Sequence, residues 1–250
     1  MKVFVTGDTS SLFKLLIKQG ITSDHEITLA SEEGWRLGSW VSNSEKYDFC
    51  LHLAFSRSIQ GENFLGTRIL AEQFNERLIY ISSLSAHIDS KSEYAITKFR
   101  CEQIVKMYLG QVISPGVFLT QEIPGLGAFL SGIPSFYPNS LIPFSDSVIA
   151  LTDAQELVKT LNVALSSKPS NQKQTMKCYS EVTTIRNLRS SRKKVSFYNP
   201  DLATFFWSNL ILSLEKIIPV RIGFLDKIKT IGYPPQWLKD EFKLKNKSTP

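Results

Sequence analysis

The sequence predicts an α/β protein: a doubly wound, largely parallel sheet with helices on both faces, followed by a small, mostly helical C-terminal cap. Three observations carry this expectation. Short apolar runs of the buried-strand kind alternate with stretches of helical spacing through the first 165 residues. The connections are long enough for βαβ crossovers, which place successive strands parallel and cover both faces of the sheet. A chain of 250 residues, 42% hydrophobic and 21% charged, can bury a core without cross-links.

Residues 2–6 (KVFVT) read as a strand, and residues 12–18 as a helix with Leu12, Leu15 and Leu16 on one face. A second strand follows at 26–30, then a poorly patterned stretch at 34–46, then a buried strand at 48–54 (DFCLHLA). Helical spacing covers 63–74, and a strand covers 78–82. Ser90 to Glu93 has the form of a capping box, in which a hydroxyl and a carboxylate satisfy reciprocal backbone donors, and the helix it opens is expected to reach about Leu109. A strand at 111–117 is halted by Pro115 and Gly116, and a strand at 148–152 leads into a helix at 153–165.

Two regions break the alternation. Residues 119–146 are rich in Gly, Pro and aromatics and read as a loop-rich insertion at the strand edge where open sheets bind ligands. Residues 166–174 read as a linker, and residues 184–250 hold helical pieces near 184–192, 201–216, 223–231 and 236–242. The expected organisation is a core at 1–183 and a small helical region at 184–250.

Cys50, Cys101 and Cys178 are odd in number and far apart, so neither a disulfide framework nor a metal site is expected. The chain opens directly on a strand, and no run of 18 uncharged apolar residues occurs, so the expectation is a cytoplasmic protein that does not span a membrane. The net charge of +6 is concentrated in the last hundred residues. Such a field attracts phosphate-bearing small molecules, nucleic acid or an anionic membrane alike. No nucleic-acid motif accompanies it, so no nucleic-acid partner is expected.

Tyr94 and Lys98 stand four residues apart on one helix, one above the other. A phenol with a pKa of about 10 is a poor acid or base at neutral pH, and a neighbouring ammonium favours the phenolate. Upstream, the strand ending Tyr80-Ile81 runs into Ser82-Ser83-Leu84-Ser85, whose hydroxyls suit polarisation of a substrate oxygen.

The sequence resembles the short-chain dehydrogenase/reductase superfamily, and within it the extended branch of NAD-dependent epimerases, dehydratases and reductases of nucleotide sugars. The resemblance rests on MKVFVTG at the start, on Asp48–Ala54 as a D-x-x-x-H-L-A strand, and on Asn63-x-x-Gly66-Thr67. It continues through YISSLSA, YAITK, Pro115-Gly116 and Thr152-Asp153. It implies a Rossmann-like sheet with a substrate-binding C-terminal cap, bound NAD or NADP, and a nucleotide-sugar substrate oxidised or reduced by hydride transfer. Tyr94 would be the acid/base, Lys98 would bind the nicotinamide ribose and lower the phenol's pKa, and Ser83 or Ser85 would be the third catalytic member. The cofactor would lie against Gly7, Thr9, Ser10, Ser11 and Leu12, against Ser31, and against Leu53, Ala54 and Phe55. Tyr94, Lys98 and the segment Pro115, Gly116 and Val117 would complete its site. The alternative is a non-catalytic or regulatory dinucleotide-binding protein of the same fold.

The departures from the family pattern bear on that choice. A phosphate-binding turn uses glycines for its tight bend, for close approach of backbone to pyrophosphate, and for helix packing. The family form T-G-x-x-G-x-x-G becomes Thr6-Gly7-Asp8-Thr9-Ser10-Ser11-Leu12-Phe13. Phe13 is expected to push helix and strand apart or to swing into another pocket, and Asp8, unless paired, to place negative charge beside a phosphate. The strand end reads Ala30-Ser31 with no acid, leaving NAD against NADP open, and Ser31 could accommodate a 2′-phosphate. No D-x-x-D segment stands in 34–46.

Other residues carry less. His52 reads as a satisfied core histidine, and His87 as a loop residue, with approach to substrate the lesser alternative. Ser114 takes the place of a family arginine. Arg186, Arg189, Arg192, Lys193 and Lys194 suit a diphosphate or a solvated face. Residues 201–231 are dense in apolar side chains, are divided by Pro219, and suit a packed subdomain, a homodimer face or peripheral contact with a membrane.

Overall fold

The computed structural model describes residues 1–21, 25–56, 59–120, 122–123, 127, 130, 146–166, 175–190 and 223–247. Strands β1 (Lys2–Thr6), β2 (Glu26–Leu29), β3 (Phe49–His52), β4 (Leu78–Ile81), β5 (Gln111–Pro115) and β7 (Thr175–Cys178) form one sheet in the order β2-β1-β3-β4-β5-β7. Every pairing in it is parallel. A second sheet pairs β6 (Val148–Leu151) antiparallel with β8 (Glu181–Thr184).

Both faces of the main sheet are covered, because strands buried on both sides read as continuous apolar runs. On one face Val3, Val5 and Leu51 meet Phe13 and Leu16 of α1 (Ser11–Lys18) and Leu157 and Leu161 of α4 (Ala154–Ser166). On the other, Phe4, Cys50 and Tyr80 meet Leu70 and Phe74 of α2 (Gln60–Phe74) and Cys101 and Val105 of α3 (Glu93–Met107). The fold is thus a doubly wound, Rossmann-like α/β sheet. Three further helices, α5 (Ile185–Ser190), α6 (Gly223–Gly232) and α7 (Gln236–Lys247), lie in the C-terminal part. The expected helix at 201–216 falls outside the described residues, as do most of the 119–146 insertion and the linker at 167–174.

Residues 30–48, all described, contain no strand and only a short 3-10 turn at Ser44–Lys46. Trp35 packs edge-on against Phe4, with ring centroids 6.4 Å apart, and its Nε1 donates to Ser39 O at 2.8 Å. The Gln73 amide clamps this segment to α2, accepting from Val41 N at 2.9 Å and donating to Val41 O at 3.0 Å. The poor patterning of residues 34–46 therefore reflects a packed, irregular crossover that leaves β2 at the sheet edge.

Three expectations are corrected. The N-cap of α3 is Ser92, whose Oγ accepts from Ala95 N at 3.2 Å, so the capping box from Ser90 does not form; Ser90 Oγ instead accepts from Ser92 N. Phe13 neither splays α1 from the sheet nor enters another pocket, because it packs inside the core with Val3, Val5 and Leu16. Finally, β7 and β8 were not foreseen, and the strand expected at 111–117 ends at Pro115, with Val117 making an isolated bridge to Leu151.

Candidate active site

The C-terminal ends of β1, β3, β4 and β5 point the same way, since these strands are parallel, and α3 runs beside them. The turn after β1 begins at Gly7, which has φ 74° and whose missing Cβ would stand 2.5 Å from Ala54 N. Only glycine lets this turn press against the end of β3. Ser10 is the N-cap of α1, its hydroxyl accepting from Phe13 N at 3.2 Å, so the residue replacing the second family glycine is used in starting the helix. Asp8 accepts a hydrogen bond from the Ser31 hydroxyl at the end of β2. The structure thus pairs Ser31 with a carboxylate.

The end of β3 is held from α2. Asn63, buried, accepts from Ser56 N at 2.7 Å and donates to Ser56 O at 2.8 Å, closing the loop that carries Leu53, Ala54 and Phe55. His52 is fully buried between two hydroxyls, with Nδ1 2.7 Å from Thr6 Oγ1 and Nε2 3.2 Å from Thr67 Oγ1. Burial, and then the nearby Lys98 ammonium, bring its pKa down to about 3, so His52 is neutral at physiological pH. Its reading as a satisfied core histidine agrees with these contacts, and Thr67 and Asn63 of the N-x-x-G-T motif serve as its partner and as the loop clasp.

Tyr94 and Lys98 lie on the first turns of α3. Lys98 Nζ is buried and donates to Ile81 O at 2.7 Å, at the last residue of β4. It also sits 4.9 Å from the Phe55 ring centroid and 4.7 Å from that of Tyr80. Burial lowers its pKa to about 8, opposed by Cys101 and Glu102. Tyr94 is half-buried and meets Phe55 edge to face. The same aromatic ring therefore touches both members of the Tyr-Lys pair.

After β4, Ser83 Oγ and Ser85 Oγ are 2.9 Å apart and bonded to each other, while Ser82 Oγ is buried with no hydrogen-bond partner among the described residues. The unmet hydroxyl is the one the strand alternation places on the same face as Tyr80. It could have been found from that alternation. Pro115, Gly116 and Val117 continue from β5; Gly116 N donates to Thr152 Oγ1 and Cys178 O, and Val117 N to Ala150 O at 2.8 Å. Ser114 Oγ donates to Glu102 Oε1 at 3.2 Å.

The C-terminal part closes over this edge. Asp226 of α6 accepts from Glu93 N at 2.8 Å, at the residue preceding Tyr94. His87 Nε2 lies 2.9 Å from Tyr233 O, so it joins the loop after β4 to the C-terminal part. Tyr179 donates to Glu241 of α7, at 2.6 Å and 2.8 Å from its two oxygens, and Leu238 packs with Leu84, Val148 and Val182. Arg186 pairs with Asp146 at 2.8 Å. The side chain of Arg189, and Arg192, Lys193 and Lys194, lie outside the described residues. Among the described residues there is no cluster of metal-ligating side chains, and no helix is long and apolar enough to cross a membrane.

No protein-family model matches the chain, and no curated protein matches it in sequence. Solved structures do. The dTDP-4-dehydrorhamnose reductase of Yersinia enterocolitica aligns with a TM-score of 0.58 and 17% identity over 76% of this chain and 78% of its own. The UDP-N-acetylglucosamine 4-epimerase of Bacillus cereus aligns at 0.52 and 18%, over 75% and 79%. The dTDP-glucose 4,6-dehydratase of Bacillus anthracis, solved with NAD, aligns at 0.55 and 11%, over 97% and 98%. The class defined is structural: this chain has the Rossmann-like fold of NAD-dependent nucleotide-sugar epimerases, dehydratases and reductases.

Proposed function

We propose that the chain is an NAD(P)-dependent oxidoreductase or epimerase of nucleotide-activated sugars, with Tyr94 as its acid/base. The observation that carries this reading is the placement of Tyr94 and Lys98 at the start of α3, beside the end of β4, with the lysine buried and its pKa brought down to about 8. The fold shared with enzymes of that kind supports it.

The residues present fit a nicotinamide dinucleotide on two observations. Phe13 is inside the core, so the Gly7–Ser11 turn keeps its course along the sheet edge. Ser82 presents a buried hydroxyl with no partner among the described residues. Gly7, Thr9, Ser10, Ser11 and Leu12 would hold the phosphates, Leu53, Ala54, Phe55, Pro115, Gly116 and Val117 would line the nicotinamide side, and Lys98 would bind its ribose. When bound, the nicotinamide accepts or returns a hydride. Tyr94 takes the proton from the sugar hydroxyl as it becomes a carbonyl and gives it back in the reverse direction. Lys98 would set a positive charge one helical turn from that phenol, and Ser83, with Ser85 bonded to it, would donate to the same sugar oxygen.

Phe55 favours a second reading, a non-catalytic dinucleotide-binding protein, because its ring contacts both Tyr94 and Lys98. Tyr94→Phe separates the two. The enzyme reading expects turnover of a nucleotide sugar to fall by a factor on the order of 10³ with cofactor affinity changed by less than about threefold. Undiminished turnover in Tyr94→Phe refutes the catalytic assignment.

A further inference from the structure

We infer that Asp8 selects a dinucleotide whose adenosine ribose carries a free 2′-hydroxyl and rejects one carrying a 2′-phosphate. The inference rests on the dinucleotide site proposed above. In an open parallel sheet the adenosine lies across the tips of the first two strands, and an acid there accepts from the ribose hydroxyls, whereas an arginine there receives a phosphate. The end of β2 provides Ala30, which is buried, and Ser31, so the strand itself supplies no acid.

The fold supplies one from elsewhere. The Asp8 carboxylate, in the turn after β1, accepts from the Ser31 hydroxyl, which sets a negative charge at the tip of β2 although its residue is 23 positions earlier. Glu32 and Glu33 follow Ser31, and of these Glu33 is offset by Lys46 at 3.5 Å. Arg36, the nearest guanidinium along the chain, points Nη1 at the carbonyl of its neighbour Trp35. A 2′-phosphate placed here meets carboxylates where it needs a cation, while a hydroxyl meets an acceptor.

The test is fluorescence titration of the intact protein with NADH and, separately, with NADPH. The expected result is NADH binding at least tenfold tighter than NADPH. Asp8→Asn should narrow that ratio to within about threefold, and Asp8→Ala combined with Ser31→Arg should reverse it, with circular dichroism checking that each variant stays folded. NADPH binding as tightly as NADH, or a ratio unchanged in Asp8→Asn, overturns the inference while leaving the dinucleotide site standing. Failure of both nucleotides to bind the parent protein overturns the site itself, and the inference with it.

Discussion

Phe55 meets Tyr94 edge to face, with ring centroids 5.1 Å apart and ring planes at 72°. The same ring gives the Lys98 ammonium a π face, so phenol, aromatic and ammonium form one cluster after the end of β3. A ribose hydroxyl that engages Lys98 must compete with that face, which contributes about 1 kcal/mol. Phe55→Leu, which keeps an apolar lining but removes the π face, is therefore expected to tighten NADH binding about fivefold. Calorimetric titration checks this, and weaker binding in the variant contradicts the competition.

The buried His52 makes stability depend on pH. Its pKa is about 3 in the folded chain and rises to the ordinary 6.5 on unfolding, so the unfolded chain binds the proton first as pH falls. The contribution is complete above pH 6.5 and is lost by about 1.4 kcal/mol per pH unit on the way down to about 3. His52→Gln keeps a hydrogen-bonding side chain but removes this dependence. Urea unfolding of both proteins at pH 7, 6, 5 and 4 should show the parent losing more stability across the series than the variant. Parallel curves count against a neutral, buried imidazole.

Two glycines of positive φ should respond differently to alanine. Gly7 has Ala54 N at 2.5 Å from the Cβ position, whereas Gly20, with φ 85°, has nothing within 4 Å. Gly20→Ala bears only the backbone strain, about 1 kcal/mol, and Gly7→Ala adds a backbone collision for a total above about 3 kcal/mol. Thermal unfolding ranks them, and similar losses would remove the argument for close approach at Gly7.

The Tyr179–Glu241 bond ties α7 to the segment between β7 and β8, and burial with the neighbouring carboxylate pushes the Tyr179 pKa up to about 12. Tyr179→Phe should cost about 1 kcal/mol and speed hydrogen exchange at residues 236–244 more than in β1 or β3. A uniform change over the chain would show that the bond does not anchor α7.

What could be read from residues alone follows the range of the forces involved. Strands β1, β3, β4 and β5 are buried along most or all of their length, which leaves a local apolar run that pattern reading detects. Strand β7 exposes Thr175 and Lys177 and β8 exposes Glu181, so their short polar segments carry no such run and were missed. Tyr94 and Lys98 were visible as a pair because one helical turn relates them. The bond from Ser31 to Asp8 and the contacts of Phe55 depend on how distant loops meet, which neither spacing nor period encodes. The start of α3 read from Ser90 fails because the N-cap position falls to Ser92, two residues on.

The bond from Glu93 N to Asp226 has a mechanical side. The Glu93 N–H stands in the first turn of α3, which also carries Tyr94, so a shift of α6 acts directly on that turn. In the proposed function, a ligand held against α6 would thereby act on Tyr94 across one residue, with no longer relay required.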